Sequence, residues 1–122
     1  MEANLWLNFT GGKLIKAFNE TNFITKTIEQ INKDLSQVTE LQISIEEIDK
    51  SNVHDSLCVQ LTSILEEVEN TMHSQVSQLL YLIDIPEHVI ATIHQNPGTY
   101  HYNLAEVILR REAYKVYLRS KF

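Results

Sequence analysis

Apolar residues recur along this chain at steps of three and four, the spacing that keeps side chains on one face of a helix. Ile24, Ile28, Ile31, Leu35 and Val38 form one such row, and Leu41, Ile45 and Ile48 extend it. The pattern predicts a first long helix over about residues 22–49. Leu41, Ile43 and Ile45 also alternate, as a strand would, so residues 38–48 admit both readings. A second row runs through Leu57, Leu61, Ile64, Val68, Met72, Val76, Leu79 and Ile83, which predicts a helix over 53–83 with a bend near residues 70–74. Lys50-Ser51-Asn52 reads as the break between the two, with Asn52 as N-cap and Asp55 in the first turn, where the helix dipole favours an acid.

Two further starts have the spacing of a capping box, a short polar residue followed by an acid three positions later. Asp84-Ile85-Pro86-Glu87 predicts a short helix over 86–96, closed by Asn96-Pro97-Gly98. Asn103-Leu104-Ala105-Glu106 predicts a last helix over 103–121. That helix carries two apolar rows: Leu104, Val107, Tyr114, Leu118 and Phe122, and then Ala105, Leu109, Ala113, Val116 and Tyr117. A helix apolar on two sides is packed on two sides. It therefore sits at the centre of a bundle or is shared with a second copy of the chain.

Composition supports this reading. Glycine occurs only at 11, 12 and 98 and proline only at 86 and 97, so the 73 residues from Lys13 to Ile85 contain neither. A β protein would place such residues in its turns. The expected fold is all-α: a helical bundle in one domain, built on a long antiparallel hairpin, with a short helix and a C-terminal helix across it. Residues 1–21, with Trp6, Leu7 and Phe9 ahead of Gly11-Gly12, are expected to form an apolar arm.

The charge is unevenly spread. The whole chain carries −6, but residues 1–100 hold five Lys against fourteen acids, whereas residues 101–122 hold five cations against Glu106 and Glu112. Arg111, Lys115 and Arg119, four apart, form a basic ladder. It could meet phosphates or an acidic partner. It could equally complement the helix C-terminus, cover apolar neighbours, or pair with the acids of residues 40–69. Tyr100, His101 and Tyr102 cluster after Pro97-Gly98, where rings on a loop could bind a partner.

The candidates for chemistry are thin. Cys58 is the only cysteine, lies in a patterned helix and reads as a buried thiol rather than a nucleophile. Glu66, Glu69 and His73 share a helix face, but no histidine has a glutamate three residues before it, as a helical di-metal site would require. We therefore expect no catalytic residue, metal or cofactor. A lone thiol, no secretory start and no long apolar run point to the cytoplasm.

The C-terminal half resembles a family of short helical proteins from Bacteroidetes-type bacteria. The resemblance rests on Leu79-Leu80-Tyr81, on Ile83-Asp84-Ile85 with Glu87, and on Ala105, Arg111, Lys115, Arg119 and Phe122. It covers about residues 57–122. This chain has Leu82 where the family usually has Arg, and Glu112 where it usually has Gln. The resemblance implies a compact helical protein of bacterial cytoplasm and no particular activity. Together these observations favour a non-enzymatic interaction or scaffold protein that self-associates as a homodimer. The alternative is an accessory protein that meets nucleic acid through its basic last helix.

Overall fold

The computed structural model describes residues 21–71, 73–95 and 97–121. Among them are five α-helices and no strand: α1 (Thr21–Leu35), α2 (Val53–Thr71), α3 (His73–Ile83), α4 (Glu87–His94) and α5 (Tyr100–Lys121). The expected all-α bundle is what the chain forms. The N-terminal arm expected over residues 1–21 lies outside the described residues apart from Thr21, the first residue of α1. The 53–83 row is carried by α2 and α3, which meet in the stretch where a bend was expected.

Two parts of the expected hairpin need correction. The first helix ends at Leu35 rather than near residue 49, and its main partner is α5 rather than α2. The last helix is the hub: α1, α2, α3 and α4 all pack against it. Both of its apolar rows are used inside the chain. Leu104, Ala105, Val107, Leu109, Ala113 and Val116 are buried, and Tyr114 and Tyr117 pack against the same core. Among the described residues, the two-sided character of the helix is accounted for by its central position.

Side chains explain why residues 38–44 leave the helix. Asn32 of α1 donates to the Ile43 carbonyl at 3.1 Å and accepts from the Ile43 amide at 2.8 Å. Gln60 of α2 does the same for Ser44, at 3.1 and 2.9 Å. Backbone polar groups near the core must be paired. Here two amide side chains supply the pairing that a strand partner would. The alternation seen in the sequence is real, with Ile43 buried and Leu41 and Ile45 exposed, but the segment is neither helix nor strand. A single 3-10 turn follows at Ile45–Glu47. Asn52 then caps α2 as expected, its Oδ1 accepting from the Asp55 amide at 3.4 Å.

The other two caps differ from expectation. Asp84 does not start α4; it closes α3, with φ of +69°. The Ile85 amide bonds back to the Leu80 carbonyl and the Asp84 amide to that of Tyr81, the Schellman pattern that usually ends in glycine. Pro86 occupies the N-cap position of α4, with no side-chain cap. Nor does Asn103 start the last helix. A 3-10 turn at Pro97–Thr99 leads directly into Tyr100, and Asn103 donates to the Thr99 hydroxyl from within the helix.

Candidate functional site

The six residues singled out in the sequence all lie on α5, three in its first turn and three spread along its second half. Ten residues separate His101 from Arg111, which is about 15 Å of helix. They form two environments rather than one site.

Tyr100, His101 and Tyr102 belong to the first turn of α5, not to a loop, and they fan out. Tyr100 stacks on His94 of α4, with ring centroids 4.5 Å apart. His101 pairs with Glu69 near the end of α2. Tyr102 donates to Asp55, in the first turn of the same helix, at 3.1 Å. Tyr100 also joins Val76, Leu80, Tyr81, Ile85 and Ile90 around a groove of about 420 Å³ on the α3–α4 side. Tyr81 is 86% exposed there and its neighbour Leu82 is 40% exposed.

Beside Tyr102 lies the Cys58 thiol, with His54 Nε2 at 4.0 Å. The same Nε2 is 3.9 Å from Glu106, which is held by Arg110 at 3.0 Å. A nucleophilic triad uses the two ring nitrogens for different partners, the nucleophile and the orienting acid. Here one nitrogen faces both. Burial, reinforced by Glu106 and Asp55, pushes the thiol up to about 12, away from the reactive thiolate.

Along the second half of α5 the basic ladder turns inward. Arg111 donates from Nε to the Ile83 carbonyl and from a terminal nitrogen to Asp84, both at 3.3 Å, which ties down the end of α3. Lys115 lies 2.9 Å from Glu112 and 3.6 Å from Asp34 of α1. Arg119 donates to the Gln30 side-chain carbonyl, and Gln30 in turn donates to Asp34 at 3.2 Å. The acids engaged are therefore Asp84, Asp34 and Glu112, not those of residues 40–69.

Glu112 was the unforeseen member. It is 0% exposed, and burial, followed by a hydrogen bond shared with Asp34, raises its carboxyl to about 8 despite the opposing pull of Lys115. The sequence did hold a signal. Glu112 lies four residues after Ile108 and four before Val116, an acid set into a buried face.

Arg119 differs from the other two in one respect. Its partner, the Gln30 oxygen, is neutral, so its charge is not cancelled by that contact. It borders a cleft of about 380 Å³ between α1 and α5, together with Lys26, Glu29, Gln30, Lys33 and Val116. No family model matches the chain, and no curated protein or solved structure matches it either.

Proposed function

We propose that this chain is a non-enzymatic interaction or scaffold protein of bacterial cytoplasm that self-associates through the α3–α4 face. One observation carries the reading: Tyr81 stands almost fully exposed on the rim of a groove that it helps to line with Val76, Leu80, Ile85 and Ile90, beside the polar Glu69, Ser77, Glu87 and His94. A protruding ring beside a groove on the same patch is self-complementary. A two-fold axis seats each tyrosine in the other copy's groove, the arrangement that an isologous interface requires. Tyrosine is also a residue type enriched at such interfaces.

The non-enzymatic part of the reading draws support from the state of Cys58 and from the shared nitrogen of His54. The nucleic-acid alternative has less in its favour, because Arg111 and Lys115 are engaged with oxygens of their own chain.

The test is molar mass by light scattering across a concentration series, for the full chain and for a Tyr81→Asp, Leu82→Asp variant. We expect a dimer at micromolar concentration for the parent chain and a monomer with unchanged helical circular dichroism for the variant. A parent chain that stays monomeric throughout the series overturns the proposal. So does a variant that still dimerises.

A further inference from the structure

We propose that the cleft between α1 and α5 is a binding site for a small phosphomonoester, held by Lys26, Lys33 and Arg119. This site is separate from the α3–α4 face and does not depend on self-association.

The first support is charge. Among the described residues, three cations and one acid, Glu29, border the cleft, a local excess of two positive charges in a chain whose total is −6. Lys26 and Lys33 are exposed and make no ion pair among the described residues. They lie seven residues apart on α1, two turns of helix, and so project from the same side toward the cleft. Arg119 faces them from α5. A phosphomonoester is a dianion at neutral pH and matches that excess; a single carboxylate does not.

The second support is the way Arg119 is held. A guanidinium meant only to stabilise the helix pair would be best served by the nearby Asp34 carboxylate. Instead the carboxylate is one step removed. Asp34 accepts from the Gln30 amide, and that fixes the Gln30 oxygen toward Arg119. Gln30 is buried, so this relay is part of the helix interface rather than a surface accident. It orients the guanidinium without neutralising it, leaving further donors and the full charge for a second acceptor. A planar fork of donors suits the paired oxygens of a phosphate.

The third support is shape. A cleft of about 380 Å³ is within the range of small-molecule sites, and its charged and polar lining suits a ligand whose recognised part is the phosphate.

The probe is phenyl phosphate, titrated into the full chain and followed by amide chemical shifts on α1 and α5. Benzoate and a single-stranded oligonucleotide serve as comparison ligands. We expect saturable shifts around Lys26, Gln30 and Arg119. We also expect benzoate to bind at least about tenfold more weakly, a difference of roughly 1.4 kcal/mol. A Lys26→Ala, Lys33→Ala variant should lose the shifts. These lysines are exposed and make no ion pair among the described residues, so it should melt like the parent chain without ligand. A second variant, Gln30→Glu, places a carboxylate against Arg119 and should also weaken phenyl phosphate. Absence of saturable shifts at millimolar phenyl phosphate overturns the proposal. Binding that survives loss of both lysines overturns it too. So does a salt-sensitive preference for the oligonucleotide over phenyl phosphate, which would mark a nucleic-acid surface instead.

Discussion

The last helix has two unlike flanks. Toward α2 it meets a nearly dry core in which Leu57, Leu61 and Leu65 are fully buried, and polar contacts are confined to the edge. Toward α1 it meets Thr27, Gln30 and Asp34, with its own Glu112, Lys115 and Arg119 facing back. Apolar burial is non-directional and scales with area, so the α2 flank supplies stability. A buried polar network is worth little net energy, because removing charged groups from water offsets what their pairing returns. On the α1 flank the buried Ile28, Ile31 and Leu35 add to stability, while the polar network contributes register and sensitivity to solution conditions more than strength.

The largest expected effect lies on the dry flank. Leu61→Ala deletes a fully buried side chain and should cost about 2–5 kcal/mol in urea unfolding. A loss below 1 kcal/mol would show that this flank is not the main source of stability. Next comes the response to pH. The folded-state carboxyl of Glu112 is raised from 4.5 to about 8, so between those values the folded chain retains a proton that the unfolded chain releases. Its contribution to stability is then greatest below 4.5, declines as pH rises, and levels off above 8. The melting temperature should fall over that range, and Glu112→Gln should remove much of the slope. An identical slope in both proteins would assign the effect elsewhere.

A smaller effect of opposite sign is expected on the same flank. The Thr27 hydroxyl is buried without a hydrogen-bond partner among the described residues. Thr27→Val keeps the shape and removes the unsatisfied group, which should raise stability by about 1 kcal/mol. The same substitution at Thr62, whose hydroxyl donates to the Cys58 carbonyl on α2, should not. The smallest effect is at the end of α3. Asp84 adopts a conformation that glycine takes more easily, and its ion pair with Arg111 is largely solvent-exposed on the Asp84 side. Asp84→Gly should stabilise by about 0.5 kcal/mol in thermal unfolding, the relief of backbone strain outweighing an ion pair of little worth.

The helices themselves were legible because their cause is local. Rows such as Leu57 to Ile83 repeat at the helical period whatever they pack against. That the last helix packs on two sides was legible for the same reason, since two apolar rows demand two neighbours, but the rows did not say whether both neighbours belong to the same chain. What misled was chemistry that depends on distant residues. Val38 to Ile48 keeps helical spacing, yet the segment leaves the helix because Asn32 and Gln60 satisfy its backbone from 11 and 16 residues away. Asp84-x-x-Glu87 and Asn103-x-x-Glu106 have capping spacing, but each sits at a boundary set by a neighbour. The Leu80–Ile85 closure claims Asp84, and the turn at Pro97–Thr99 starts the last helix early. The basic ladder was visible in the sequence. Its partners were not, because Asp34 and Gln30 are brought to it only by the packing of α1.

The pairing of Asn32 with Ile43 and of Gln60 with Ser44 also bears on the order of folding. Both bonds at each site come from a side chain on a preformed helix, so the segment between α1 and α2 has no stable conformation of its own to nucleate. It can become ordered only once both helices are in place, and closing that loop must be offset by contacts made elsewhere first. Substitutions at Asn32 or Gln60 should accordingly speed unfolding while leaving the refolding rate nearly unchanged. The amide protons of Ile43 and Ser44, though outside any helix, should exchange with solvent as slowly as those of the helices that hold them.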